Sequence, residues 1–186
     1  MPTQVTGSYA DIYRWDNLYA AYRQAARGKR SHGPAARFEF RLEDNLVRLQ
    51  EELAAQTYRP GAYVHFYIHE PKRRLISAAP FRDRVVHHAL CNVIEPAFET
   101  SFIAHSYANR IGKGTHACLD ACQGWLREYR YVLQCDLRQY FPSIDHRILQ
   151  RTLNRRIQDG DIRRLIALIL ASGAGVLSGE YDLVDF

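Results

Sequence analysis

Tyr131-Val132-Leu133-Gln134-Cys135-Asp136-Leu137-Arg138-Gln139-Tyr140-Phe141-Pro142-Ser143-Ile144-Asp145-His146 is the stretch on which the reading of this chain turns. An apolar, β-rich run ends on a carboxylate, so residues 131–136 are expected to form a strand that carries Asp136 at its end. The aromatic Phe141 follows closely. Ser143 or Asp145 then stands where a side-chain oxygen would cap a short helix reaching to about residue 157. A carboxylate on a short, stiff arm is the hard oxygen ligand that magnesium demands. Phe141 by itself reads equally well as a core aromatic, and Asp145 reads as a helix cap.

Upstream of this stretch, Thr115 is placed to cap a helix running to about Glu128, preceded by a loop over 106–114. Residues 83–102 carry Val86, Ala89, Leu90, Val93 and Ala97 on one helical stripe, and Pro96 is expected to kink or split that helix. Residues 62–79 change period: a β-branched and aromatic run, a Glu70-Pro71-Lys72 turn and a returning run predict an antiparallel hairpin. Helices are expected over 8–27, closed by Gly28 and the Gly33-Pro34 pair, and over 36–56. Downstream, 160–172 reads as a further helix, and the tail becomes glycine-rich and then acidic.

With 186 residues, 47% hydrophobic and 12% aromatic, the chain can bury a core of one domain or slightly more, which excludes a disordered polymer. No apolar run approaches the ~20 residues that cross a bilayer, and the N-terminus lacks a signal pattern, so no membrane partner and a cytoplasmic location are expected. The cysteines, Cys91, Cys118, Cys122 and Cys135, lack a Cys-x-x-Cys spacing and are expected as buried, reduced thiols.

The formal net charge is +5, which favours a polyanionic partner. Its distribution matters more. Arg23, Arg27, Lys29, Arg30 and Arg37 cluster early; Lys72, Arg73 and Arg74 form a second group; Arg110 and Lys113 bracket a glycine; Arg147, Arg151, Arg155 and Arg156 form a fourth. Strand alternation sends Lys72, Arg74 and Ile76 to one face and Arg73 and Leu75 to the other. Cations beside an aliphatic suit a nucleoside triphosphate, although basic hairpins are common. Backbone amides at the start of the 115–128 helix, flanked by Arg110 and Lys113, suit a phosphate; a plain capped loop is the other reading. His87 and His88 read as helix surface or core edge.

In this order, the motifs resemble those of reverse transcriptases of the group II intron type. The basic hairpin and Pro80 precede Asp83-Arg84-Val85-Val86 at a helix start. Ser106-Tyr107 precedes Arg110-Ile111-Gly112-Lys113-Gly114-Thr115-His116, which is also similar to reverse transcriptases of diversity-generating retroelements. The 131–146 stretch resembles the family's first catalytic-aspartate motif. The resemblance implies an α+β fold: a helical N-terminal region (1–61), helix-rich fingers with a small hairpin (62–128), and the first strand and helices of a palm (129–186). It implies Asp136 as the catalytic, metal-binding aspartate, joined by the Leu137 carbonyl. Lys72, Arg74, Arg138 and Phe141 would hold the deoxynucleoside triphosphate, with Phe141 excluding a 2′-hydroxyl. Arg110 and Lys113 would meet the template. Magnesium is the implied cofactor, and an RNA template with a DNA primer are the implied partners. For Asp83 the helix-start position alone predicts a cap.

The family's second metal-binding turn, Tyr-x-Asp-Asp, has no counterpart, because the chain contains no Asp-Asp pair. One carboxylate cannot hold two cations about 3.5–4 Å apart against their repulsion. The expectation is therefore an N-terminal fragment, inactive alone, with a C-terminal polypeptide completing the palm. Two other classes compete: a non-catalytic basic RNA-binding module, and an unrelated phosphoryl-transfer fold. The latter needs a second carboxylate near Asp136, and Glu180, Asp182 and Asp185 on their glycine-rich tail are poor rigid support.

Overall fold

The computed structural model describes residues 4–30, 33–69, 73–137, 140 and 143–175, with the Arg74 side chain also left out. The described residues are helix-rich with one small antiparallel sheet, compatible with an α+β fold. In chain order they form α1 (Tyr9–Ile12), α2 (Trp15–Ala26), α3 (Gly33–Phe40), α4 (Leu42–Ala54), β1 (Val64–Ile68), β2 (Arg74–Ala78), α5 (Phe81–Glu99), α6 (Thr115–Glu128), α7 (His146–Asn154) and α8 (Gly160–Ser172).

The helix expected over 8–27 is split into α1 and α2. Asp11 turns back to accept from the Ser8 amide at 2.7 Å and the Ser8 hydroxyl at 2.9 Å, closing a one-turn helix. The Asn17 amide then donates to the carbonyls of Asp11 and Ile12 at 3.1 and 3.0 Å, and to Ala89 of α5 at 3.0 Å. That side chain satisfies the freed carbonyls, so the break leaves few orphaned acceptors. Gly33 and Pro34 open α3 instead of closing the preceding segment; proline is tolerated in a first turn because its missing N–H would have no helical acceptor. Pro96 does not split α5. It sits in the last turn, where few ladder bonds remain to be lost.

The core forms where α2 lies along α5, with α4 closing it. Ile12, Leu18, Leu46, Leu49, Leu53, Val85 and Val86 are fully enclosed, and Tyr22, Phe38 and Phe81 pack ring to ring with centroids 5.3–6.4 Å apart. Ile157 and, from α8, Ile162, Leu165 and Ile166 join the same core. The N-terminal segment ties them in: the Val5 amide donates to the Arg156 carbonyl at 2.9 Å, and the Tyr9 hydroxyl to the Leu53 carbonyl at 2.8 Å.

Asp159 is the knot of this junction. Its carboxylate caps α8 through the amides of Asp161 (2.8 Å) and Ile162 (3.1 Å) and also accepts from the Tyr9 amide at 2.8 Å. Partial burial works to raise its pKa, but these amides outweigh that and hold the carboxyl below its usual value of 3.8. A depressed carboxyl stabilises the fold above its unfolded pKa and loses that contribution as pH falls through the folded one. Asp159→Ala is expected to cost about 1–2 kcal/mol at pH 7 and distinctly less at pH 3. Urea titrations at both values check this; an equal loss at both would refute it.

The expected strand over 131–136 is not observed. Residues 131–137 carry no regular structure and are exposed throughout, with Tyr131, Val132 and Leu133 at 85, 72 and 87%. A strand exists only as part of a hydrogen-bonded ladder, and among the described residues no other strand lies beside this one. The described sheet is β1–β2 alone. The cysteines also depart from expectation: Cys91, Cys118, Cys122 and Cys135 are all exposed and free. The last three lie on α6, which buries no residue, and on the unpaired 131–137 segment, so the packing that would have covered them is missing.

Candidate active site

The hairpin strands lie where the sequence placed them. Phe66 pairs with Ile76, Tyr67 with Leu75, and Ile68 with Arg74. The Arg73 guanidinium lies 4.1 Å from the centroid of the Tyr67 ring, on the face that alternation assigned to Arg73 and Leu75. Arg74 is the first residue of β2. Its side chain, like Lys72, lies outside the described residues, as do Arg138 and Phe141.

A buried clasp closes the base of this hairpin. Asp83, only 2% exposed, is the buried charged residue among those described. One carboxylate oxygen accepts from the Tyr58 hydroxyl at 2.8 Å and the other from the Gly61 amide at 2.7 Å. Gly61 leads into β1 and Asp83 follows β2, so the clasp joins the two ends of the arm. A methyl group on Gly61 would come within 3.0 Å of the Pro80 ring and 3.4 Å of the Asp83 carboxylate, so glycine permits this close approach. Arg82 pairs with Glu52 of α4 and lies over the Tyr58 ring, its carbon 5.3 Å from the centroid. Burial, with the Asp83 charge beside it, pushes the Tyr58 phenol far above its usual pKa, so it stays a donor. The helix-start expectation for Asp83 is thus corrected in kind. Its partners are a tyrosine and an amide well upstream, and no pattern in the sequence marked that pairing.

In the loop between α5 and α6, Arg110 is largely enclosed. Its guanidinium donates to the Glu99 carboxylate at 2.7 Å and to the carbonyls of Ile103 (2.9 Å), Ser106 (3.2 Å) and Glu99 (3.5 Å). It thereby satisfies the C-terminal end of α5 and places a cation at the negative pole of that helix. Lys113 donates to the Ala104 carbonyl and stands 5.3 Å from the Tyr107 ring. Gly112 and Gly114 have φ of 73° and 96°, and Gly114 rather than Thr115 is the residue before α6. Arg110 and Lys113 therefore share one loop, as expected, with their donors engaged inside it.

Asp136 is exposed, and its carboxylate accepts from the adjacent Leu137 amide at 3.0 Å. Asp145 is the cap of α7, accepting from Arg147 at 2.7 Å and Ile148 at 3.2 Å; those amides hold its pKa below the usual carboxylate value. Among the described residues no group of three His, Cys, Asp or Glu could hold a metal ion. Asp136 is the right kind of oxygen ligand, but the donor set among the described residues does not fit a pair of magnesium ions. No helix of the described residues is long and apolar enough to cross a membrane.

Apolar surface is concentrated around this segment. Leu119, Trp125, Leu126, Tyr129, Tyr131 and Leu137 are 39–85% exposed, and neither α6 nor α7 buries a residue.

No family model matches the chain. It is similar to protein YkfC of Escherichia coli (strain K12), with 29% identity over 140 residues, covering 72% of this chain and 37% of that protein. It is similar to nuclear intron maturase 2, mitochondrial, of Arabidopsis thaliana, at 25% over 145 residues, covering 69% and 20%. The group II intron-encoded protein LtrA of Lactococcus lactis matches at 25% over 134 residues, covering 70% and 22%. The chain thus spans from about a fifth to somewhat over a third of the length of these curated relatives. The motifs stand in the same order along the stretch these relatives match, which supports a relationship of the group II intron reverse transcriptase type.

Proposed function

We propose that this chain is the fingers and the beginning of the palm of an RNA-directed DNA polymerase of a bacterial retroelement, working in the cytoplasm. It would contribute one carboxylate, Asp136, to a two-magnesium nucleotidyl-transfer centre. The observation that carries the reading is the open Asp136 carboxylate at the end of an apolar segment that has no ladder partner among the described residues. That segment reads as a palm strand awaiting its neighbours, and the exposed apolar residues around it support a further polypeptide covering them.

In this reading Lys72, Arg74 and Arg138 hold the triphosphate and Phe141 closes on the sugar. Asp136, with the Leu137 carbonyl, holds magnesium, which when bound would neutralise charge on the transferring phosphoryl group. Lys113, held by one carbonyl contact, can turn to a template phosphate, while Arg110 keeps the loop in shape. The domain division stays at 1–61, 62–128 and 129–186.

Purified residues 1–186, given RNA template, DNA primer, deoxynucleoside triphosphates and magnesium, are expected to give no extension. Co-expressed with a polypeptide carrying a Tyr-x-Asp-Asp segment, they are expected to extend the primer, and Asp136→Ala is expected to abolish it. Extension that survives Asp136→Ala overturns the assignment of Asp136. Extension by residues 1–186 alone overturns the divided centre.

A further inference from the structure

The geometry points to a binding site where the end of α4 meets α8: we propose that the hollow between them takes an acidic peptide, seating one large apolar side chain while Arg59 and Arg164 hold the carboxylates beside it. The hollow measures about 250 Å³. One wall is the turn after α4, with Gln56, Tyr58 and Arg59; the other is α8, with Arg164, Leu165 and Leu168; Tyr9 closes it. That turn is an unusual helix end. Gln56 has φ of 58°, in the left-handed region where glycine or asparagine usually stands. Its amide donates to the Leu53 carbonyl at 3.0 Å and the Thr57 amide to the Glu52 carbonyl at 2.8 Å, which fixes the reversal that brings Tyr58 and Arg59 to the hollow.

The floor is apolar. Tyr9, Tyr58 and Leu165 belong to the core and are 8, 2 and 4% exposed. The tyrosine hydroxyls are engaged elsewhere: Tyr9 donates to the Leu53 carbonyl and Tyr58 to the Asp83 carboxylate, so both offer ring surface to the hollow. The rim is cationic. Arg59 is steadied through Nη1, which donates to the Tyr58 carbonyl at 2.8 Å. Arg164 stands beside the Tyr9 hydroxyl, where its charge works against the rise that burial imposes on that phenol's pKa. Among the described residues no carboxylate lines the hollow.

Size and charge select the ligand. The hollow is smaller than the ~300–1,000 Å³ clefts that enclose a drug-sized molecule, so it suits one anchoring side chain and not a whole cofactor. Two guanidinium groups beside an apolar seat match a phenylalanine or leucine with aspartate or glutamate next to it. A nucleobase fits less well. Its polar edges would be buried against tyrosine rings and leucines, with Gln56 as their neutral hydrogen-bonding partner. The site stands without the polymerase reading, because it needs neither Asp136 nor magnesium.

The test is a methyl NMR titration of residues 1–186 with a short peptide that carries a central phenylalanine between pairs of aspartates. It is expected to shift the Leu165 and Leu168 methyl resonances saturably. Exchanging the phenylalanine for serine keeps the charge and is expected to weaken binding about tenfold or more, the loss of one buried aromatic. Exchanging the aspartates for asparagines is expected to weaken it about fivefold, because exposed ion pairs are individually small. Arg59→Gln/Arg164→Gln is expected to do the same, whereas Arg127→Gln/Arg151→Gln removes equal charge outside the hollow and is expected to change affinity less than about twofold. Arg59 and Arg164 are exposed, so thermal melts are expected to stay close to the parent, and the peptide exchanges test the site with the protein unaltered. Equal weakening by both arginine pairs overturns the site in favour of a net-charge effect. A serine peptide that binds as tightly as the phenylalanine one overturns the apolar seat, and a titration that leaves Leu165 and Leu168 unmoved overturns its location. An RNA hairpin that moves the same methyls at lower concentration than the peptide assigns the hollow to nucleic acid and also overturns the proposal.

Discussion

Asp83→Ala is expected to destabilise the protein by about 2–4 kcal/mol, because it strands the buried Tyr58 hydroxyl and the part-buried Gly61 amide at once. Both donors lose the Asp83 carboxylate that accepts from them, and an unsatisfied buried donor costs roughly 1–3 kcal/mol. For a chain of this size that is a fall in Tm on the order of 10 °C. Asp83→Asn is expected to cost much less. Its carbonyl oxygen can keep the Gly61 amide, and the Tyr58 hydroxyl can rotate to accept from the new NH2 group. Tyr58→Phe removes the other half of the contact and leaves the carboxylate with one donor, for about 1.5–3 kcal/mol. The two positions touch, so the losses do not add: a double-mutant cycle is expected to return a coupling of about 1–3 kcal/mol. Hydrogen exchange gives the local readout. With the clasp open, amides of β1 and β2 are expected to exchange faster than the global loss of stability explains, since the two ends of the arm are no longer joined. An Asp83→Ala protein within 0.5 kcal/mol of the parent would refute the clasp; that threshold is about the scatter of surface substitutions.

Arg110→Ala is expected to cost about 2–4 kcal/mol and to melt the loop between α5 and α6 first. It removes the partner of the half-buried Glu99 carboxylate and the donor for three carbonyls, one of which ends α5. Arg110→Lys is not expected to rescue it. An ammonium group cannot span this set of acceptors in the planar fork that a guanidinium provides. Faster exchange of the described amides over 100–114, with the α2–α5 core unchanged, is the expected signature. An Arg110→Lys protein as stable as the parent would sink this account. The same variant separates two roles in nucleic-acid binding. If Arg110 shapes the loop, Arg110→Ala weakens binding with little change in salt slope. If it meets a phosphate directly, the slope falls by about 1.

Both predictions rest on hydrogen bonds that join positions far apart in sequence, and this is where the sequence was mute. Local chemistry was legible. The hairpin, α6 from Thr115 to Glu128 and α8 from Gly160 to Ser172 follow from period, turn residues and capping signals within a few residues of one another. Asp145 reads as a cap because its carboxylate accepts from amides only two and three residues further along the chain. The order of motifs, and with it the family, is likewise a property of the string of residues. The break between α1 and α2 was not legible, since it depends on one Asn17 side chain reaching both α1 and Ala89.

The strand over 131–136 shows the limit from the other side. Its composition is that of a buried strand, and composition is all that a sequence offers. Whether a strand forms depends on neighbours that supply ladder hydrogen bonds and cover its faces, and the described residues supply neither. The sequence alone thus determined where a carboxylate, a basic arm and a glycine loop stand along the chain, because those are short-range matters of residue type and spacing. Tertiary structure alone decided which charges are spent. Asp83 and Arg110 are consumed by contacts within the fold, while Asp136 and the arginines around Gly28 remain open to solvent, because burial and partnership are set by what packs alongside and not by what lies next in the chain.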